Sequence, residues 1–293
     1  MFGIVVNPVS GGGKHIGLAQ RIEEILNERG EDCRFFNTEC ENDGERQARL
    51  ALECGCEAVI CIGGDGTLSE VVRAMADSGK MLYVAPCGTG NDFVRALGLP
   101  LDPIEAFRLQ LDGEERKVDC GSVNGRPFMN VSGSGFDVEV LRKTEELKAV
   151  YPGAKAYHKA VLAVISSYQA IEAELMIDGG AAKRIRGTII EIANGRYFGG
   201  GMLVAPKSSF SDGLFDVVVV DRVPSYLIPF LLPLFILGVH IYLPIARVVQ
   251  AREVVLRSEG MVLNIDGRLE PMDEAHYRMH PGALTMRLPA KKK

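Results

Sequence analysis

The stretch Val59 to Val72, VICIGGDGTLSEVV, sets a carboxylate, Asp65, among the glycines Gly63, Gly64 and Gly66 directly after an apolar run. Glycines that follow a buried strand leave room for phosphate, because their backbone approaches closely and reaches unusual dihedrals. Amides at the start of the next helix point at such an anion. An aspartate in the same place calls for a cation between itself and the phosphate oxygens, and Mg2+ meets that need directly or through water. The competing reading of Asp65 is a turn residue that caps local amides. Thr67, followed three residues later by Glu70, predicts a capping box. Neither the dinucleotide fingerprint nor the Walker loop fits. Ser69 stands where the first needs glycine, and His15 follows Lys14 where the second needs Ser or Thr.

Two further turns carry related chemistry. PCGTGNDFVRALG offers Gly88, Thr89, Gly90 and Asn91 for a phosphate or ribose contact, with Asp92 at a helix start. NPVSGGGK offers Asn7, Ser10, Gly11 and Gly12 beside the cation of Lys14. Three phosphate-friendly turns on one sheet edge weigh more than any one alone.

The elements that position them follow from periodicity. FGIVV, CRFFN, AVICI and MLYVA read as buried strands, and the segments after them carry helical spacing, as in Ile16, Ala19, Ile22, Ile25 and Leu26. GERQARLALEC, LSEVVRAMA and DFVRALG read as further helices. This alternation over the first ~115 residues predicts a parallel sheet flanked by helices, with ligands at the carboxyl ends of its strands. Near Val118 the texture changes. Asn124-Gly125 predicts a hairpin, helices are expected near 137–150 and 155–170, and EAELMI, RGTIIEIAN, LFDVVVV, EVVLRS, MVLNID and ALTMRL read as strands. A second, antiparallel unit is expected from about residue 120, as a sandwich or open barrel.

Val223 to Ala246, VPSYLIPFLLPLFILGVHIYLPIA, is apolar enough and long enough to suggest a bilayer span. Pro224, Pro229, Pro233 and Pro244 oppose that reading. An internally buried helical pair and an exposed apolar face touching a membrane or partner both stay open.

Composition narrows the class. A chain of 293 residues, 47% hydrophobic and 24% charged, suits two soluble domains. A net charge of −5 without a basic stripe argues against nucleic-acid binding. The tail Lys291-Lys292-Lys293 reads as a solvated end with some affinity for an anionic surface. The 7 cysteines all precede residue 121 and make a poor disulfide or zinc framework, Cys54-Gly-Cys56 with Cys61 included, so buried reduced thiols in a cytoplasmic protein are expected. The opening residues reach a strand at once, with no signal peptide. His15, His158, His240, His276 and His280 show no metal spacing and read as surface or packing residues. The scattered methionines read as core filler. Asp137, after the glycines of GSGFDVEV, either orients an interdomain cleft or caps a helix.

NPVSGGGK, GGDGTLSEV and GTGNDF, in this order, resemble the diacylglycerol kinase catalytic family, specifically its bacterial soluble lipid kinases. VDCG at 118–121, NVSGSGFD at 130–137, YFGGGMLVAP and SDGLFDVVVV extend the resemblance over nearly the whole chain. GGDGT alone is shared with NAD kinases and phosphofructokinases, whereas GTGND with DGLFD is far more specific. The resemblance implies an α/β nucleotide-binding domain, placed at 1–118, a β-sandwich lipid-binding domain at 119–293 with a helical insert around 223–249, and an active-site cleft between them. It implies ATP on Asn7, Ser10, Gly11, Thr38, Gly63, Gly64, Asp65, Gly66, Thr67, Leu68, Ser69 and Thr89. It also implies magnesium and its waters at Asp65, Asp92 and Asp119, and a structural magnesium at the Ser209 carbonyl, the Asp212 carboxylate and the Leu214 carbonyl. Ser211 stands where many relatives carry a second aspartate.

The implied reaction is attack of a lipid hydroxyl on the γ-phosphate of ATP, with Lys14 and magnesium neutralising charge. The sequence departs from the family in NIDGRLEP, where Arg268 replaces the glutamate that serves as base. Arginine stays protonated and accepts no proton. Glu270 lies on the same strand face, about 6–7 Å along, and is one substitute. A slower transfer without a protein base, and an ATP-binding regulatory module that has lost transfer, are the others. NAD kinase is a further alternative, disfavoured by GTGND and by the apolar segment. The expected partners are a lipid alcohol and a membrane surface touched peripherally. The lipid's identity and a homodimeric state are left open.

Overall fold

The structure is a computed structural model that describes residues 1–7, 14–151, 154–166 and 168–290, without the side chains of Lys14, Ile16, Ala154 and His158. Ser10, Gly11, Gly12 and the lysine tail therefore lie outside the described residues. The first unit runs β1 (Phe2–Val6), α1 (Lys14–Glu28), β2 (Cys33–Asn37), α2 (Gly44–Glu53), β3 (Ala58–Gly63), α3 (Asp65–Met75), β4 (Met81–Pro86), α4 (Asp92–Ala96) and α5 (Pro103–Leu111). Its strands pair in parallel in the order β2-β1-β3-β4. The runs are apolar throughout because both faces are covered. Ala58, Ile60 and Ile62 of β3 pack with Ile22 of α1 and Phe107 of α5. Val59 and Cys61 pack with Ala48 of α2 and Val71 of α3. α5 is not among the helices expected from periodicity, although its start carries its own signal. Pro103 opens its first turn, and the Asp102 carboxylate accepts from the Glu105 amide at 2.8 Å.

The second unit opens with β5 (Glu114–Val123) and β6 (Arg126–Phe128), joined through Asn124 and Gly125 at φ 48° and 79°. Both left-handed residues are what a two-residue hairpin of this twist needs. β7 (Val131–Gly135), α6 (Phe136–Lys148), α7 (Ala154–Ile165), β8 (Ile171–Ile177), β9 (Lys183–Ala193), β10 (Tyr197–Phe198), β11 (Met202–Leu203) and β12 (Phe215–Asp221) follow. After α8 (Ile228–Ile236), the chain closes with β13 (Ala246–Ala251), β14 (Glu253–Arg257), β15 (Val262–Ile265), β16 (Arg268–Pro271) and β17 (Glu274–Leu288). Alternate residues of β9 and β12 serve two apolar layers. Ile190, Ile192, Val217 and Val219 fill the interior of the sandwich with Val254, Leu263 and Tyr277. Ile189, Val218 and Val220 face outward onto Val140, Val164 and Phe235 of α6, α7 and α8.

β17 ties the units together. It begins antiparallel to β14, runs along β5 with a register shift between His280 and Leu284, and sets Thr285 and Met286 parallel to β4. The boundary expected at 118/119 falls inside β5, which pairs with β17 on both sides of it.

The apolar insert is a 3-10 turn (Ser225–Leu227), α8 and a second 3-10 turn (Val239–Tyr242). At 9 residues α8 is about 14 Å long, under half the hydrocarbon thickness of a bilayer. No helix among the described residues is long and apolar enough to cross a membrane. A fully buried pair is not formed either: Ile228 and Phe235 are buried, while Phe230 and Leu237 are 73% and 68% exposed. His240 packs on Phe235, and its Nε2 lies 3.1 Å from the Val204 carbonyl. All the cysteines are free, Cys56 and Cys61 buried and Cys54 exposed, and no metal-ligating cluster occurs among the described residues.

Leu284 is fully buried where β17 enters the first unit. Leu284→Ala should cost roughly 2–5 kcal/mol in urea unfolding, and an unchanged midpoint would deny β17 this structural role.

Candidate active site

Because β1, β3 and β4 are parallel and in register, Val6, Gly63 and Pro86 end at one edge of the sheet. Asn7 follows β1 there, and Thr38 joins it by donating its amide to the Val6 carbonyl at 2.9 Å. The turns after β3 and β4 touch backbone to backbone. A Cβ on Gly64 would stand 2.9 Å from the Gly88 Cα, and one on Gly88 would stand 2.6 Å from the Gly64 Cα. Any side chain at either position would drive the turns apart.

α3 starts at Asp65, with Gly64 extended before it. Thr67 is therefore already inside the first turn, and the expected capping box does not form. Glu70 instead accepts from the Gly44 amide at 2.9 Å and caps the start of α2. The amides that open α3 have no intrahelical acceptor and face the sheet edge where an anion would sit.

Asp65 and Asp92 come together across the paired turns. Asp65 accepts from the Phe93 amide at 3.5 Å, across to the start of α4. Burial raises its carboxyl above the usual range, and the amides of Phe93, Asn91 and Asp92 pull it partly back. Asp92 is buried, accepts from the Gly200 amide at 2.8 Å through Oδ2, and leaves Oδ1 without a partner. Burial, and then the charge of Asp65, push Asp92 up to about 6. A divalent cation is the partner such a pair lacks, so the residues present fit magnesium.

Both aspartates open into a cavity of about 250 Å³ between the units. Asn130, Asp137, Asn264 and Asp266 add polar groups to its lining. Most of the remaining lining is apolar, from Phe136 and Val140 past Ile189 and Met202 to Leu231 and Phe235 beneath the exposed face of α8, with Tyr157, Thr188, Tyr197 and His240 among it.

Other expected site residues lie elsewhere. Thr89 and Gly88 are exposed at the edge, but Asn91, at φ 52°, spends its side chain on Gly88, donating to its carbonyl and accepting from its amide. Leu68 is buried in the core of the first unit, and the Ser69 hydroxyl donates to Asp266 at 3.2 Å. Asp119 lies outside the cavity lining, with its carboxylate accepting from the Gly213 and Gly282 amides at 2.8 and 2.7 Å. That bond holds the 209–214 loop, where Asp212 is raised by burial and by the neighbouring Asp216 and Asp119. Crowded carboxylates fit a cation there as well, although Ser208 already donates to Asp216 at 2.6 Å. Glu270 is ion-paired with Arg126 and outside the cavity lining. Arg268 lies close enough to Arg73 and Arg126 to lower both, after burial. The side chain of Lys14 is outside the described residues.

Sequence reasoning missed Asp266 and Glu191, a fully buried carboxyl. A charged residue inside the apolar run TIIEIA was the available signal for Glu191, and an aspartate just before a turn glycine was the signal for Asp266.

Residues 1–123 match the diacylglycerol kinase catalytic domain, and residues 130–288 match the YegS C-terminal NAD kinase beta sandwich-like domain. A Pseudomonas fluorescens protein named "Probable lipid kinase YegS-like" is 35% identical over 252 residues, covering 84% of this chain and 82% of its own. A Pseudomonas aeruginosa protein of the same name is 35% identical over 257 residues, 85% of this chain and 82% of its own. The crystal structure of a diacylglycerol kinase from Bacillus anthracis superposes with a TM-score of 0.72 at 20% identity, over 98% of this chain and 96% of that one, and shares the fold of an α/β unit followed by a β-sandwich.

A carboxyl raised by folding stabilises fully below its unfolded pKa, near 4, and loses that contribution as pH rises through its folded value, about 6 for Asp92. The uncharged Asp92→Asn should therefore melt higher than wild type at neutral pH, by on the order of 1–3 kcal/mol. The gap should close as pH falls toward about 4, and equal melting at all pH values would show that Asp92 carries no such cost.

Proposed function

The chain belongs to the diacylglycerol kinase catalytic family, in its YegS-like lipid kinase branch, and on that premise we propose that it moves the γ-phosphate of ATP, with Mg2+, onto the hydroxyl of diacylglycerol or a related lipid alcohol at a membrane surface. The observation that carries this reading is the cavity, which has buried carboxylates at one end and an apolar lining that runs out beneath α8. A small hydrophilic acceptor would leave that lining wet, whereas an acyl chain fills it favourably.

The chain's own residues divide the work. The opening amides of α3 meet phosphate oxygens. Asp65 fixes the turn that begins α4. Asp65 and Asp92 would hold Mg2+, which supplies charge neutralisation to a transferring phosphoryl group. The apolar lining takes the lipid tail and excludes water. Phe230, Leu237 and Tyr242, all exposed, would enter the interfacial zone of a bilayer and shorten the lipid's path to the cavity. Holding reactants in line provides most of the acceleration for a loose transition state.

Radiolabelled ATP with diacylglycerol in mixed micelles tests the activity. Wild type should form a phosphorylated lipid, and Asp92→Ala should lose roughly 10²-fold or more in kcat. A wild type that phosphorylates no member of a lipid-alcohol library would sink the proposal. Co-sedimentation with vesicles tests the surface: Phe230→Asp with Leu237→Asp should leave the protein in the supernatant while wild type pellets. Equal pelleting would place the membrane contact elsewhere.

A further inference from the structure

The kinase reading leaves the acceptor's proton without a destination, since Arg268 cannot take it and Glu270 is bound to Arg126. A different carboxylate lies on the cavity wall. In the sheet, Asn264 of β15 pairs with Gly133 of β7, and Gly133 pairs in turn with Glu191 of β9. These residues form one cross-strand row whose side chains share a face. The middle member is glycine for a steric reason: a Cβ there would lie within 2.1 Å of Glu191 Oε2. The gap admits the Glu191 carboxyl, and Asp137, from the first turn of α6, stands over it. Asn264 Nδ2 donates to Asp137 Oδ2 at 3.0 Å.

Asp137 is 8% exposed, lines the cavity that contains Asp65 and Asp92, and leaves its buried Oδ1 without a donor. Glu191 is fully buried behind it, and both its carboxyl oxygens lack a donor, so a proton between the two neighbouring carboxyls is the partner they need. Burial, and then the charge of Asp137, push the Glu191 carboxyl well above its ordinary range, and burial raises Asp137 as well. Two buried carboxyls in contact share one proton, because both cannot ionise at once. Tyr157 lines the same cavity, and its phenol is raised by the charges of both Asp137 and Asp92 after burial. Tyr168 and Tyr277 also sense Asp137, and burial raises all of these phenols and keeps them neutral.

We infer that Asp137 takes the proton of the acceptor hydroxyl, and that Asn264 and Glu191 position it to do so. The inference rests on the lipid-kinase reading. In the step, the acceptor oxygen bonds to the γ-phosphorus as the bond from that phosphorus to the β–γ bridging oxygen breaks. ADP leaves with the electron pair, and the hydroxyl proton passes to Asp137, then to solvent after product leaves. Glu191 donates its hydrogen bond to Asp137 throughout, so the ionised partner is the one on the cavity wall. Asp137 is the catalytic residue and Glu191 a positioning residue.

Kinetics on diacylglycerol micelles across pH, together with infrared spectra of the protein alone, test this. Asp137→Asn, which keeps the Asn264 contact, should lose about 10²–10⁴-fold in kcat with little change in lipid KM. Glu191→Gln replaces a hydroxyl donor with a weaker amide donor, so kcat should fall several-fold and the acidic limb of its pH profile should move upward. Wild type at neutral pH should show a protonated carboxylic acid band that Glu191→Gln lacks. Wild-type turnover with an equally active Asp137→Asn, or one altered only in KM, would overturn this inference and leave the kinase reading intact. Absence of the carboxylic acid band would likewise overturn it. A wild type inactive on every lipid would remove both.

Discussion

Hydrogen bonds from both units converge on the carboxylate of Asp266. The amides of Met129 and Asn130 reach it at 2.8 Å each, the Val131 amide at 3.3 Å, and the Ser69 hydroxyl at 3.2 Å. Burial raises this carboxyl, and its amide donors draw it back toward the ionised state. Charge-assisted bonds of this kind are short and directional. Ser69 belongs to α3, whose opening amides are the proposed phosphate seat, and residues 129–131 lead into β7. Asp266, in a turn at φ 49°, therefore adds a second tie between that seat and the sandwich, beside the pairing of β17 with β4.

With the units held in this way, the cavity between them acquires opposite characters at its two ends. Buried carboxylates at one end carry a free-energy cost that a cation relieves. The apolar walls toward α8 gain by excluding water. The glycine turns make the charged end compact, since the Gly64–Gly88 contact brings Asp65 and Asp92 closer than turns bearing side chains would allow. The same compactness leaves Asp92 Oδ1 unpartnered.

Arg268 acts together with its neighbours. The guanidinium joins Arg73 and Arg126 at the edge of the seam, and Glu270 is drawn into pairing with Arg126. Like charges gathered there favour an anion nearby and disfavour proton acceptance. The carboxyl pair of Asp137 and Glu191 sits instead on the helix-facing side of the sheet, with access to the cavity and separation from the arginines.

Much of this was legible in the chain itself. Apolar runs with glycine turns fixed the parallel sheet, because strands covered on both faces need no alternation. Asn124-Gly125 fixed a hairpin, because few other pairs accept two left-handed residues. Thr67 and Glu70 misled, since a capping box is defined by spacing while the helix cap falls three residues earlier, at Gly64, where the turn meets Gly88. The exposed face of α8 could not be told from a buried one, because apolarity does not say whether a neighbouring layer covers it. The sequence by itself determined which residue types stand at the sheet edge and that position 268 carries an arginine, which accepts no proton. Only the tertiary structure decided that Glu70 caps α2, that Glu270 pairs with Arg126, and that Glu191 meets Asp137 over Gly133. Those outcomes depend on strand register and on contacts between residues far apart in the chain, which local spacing does not encode.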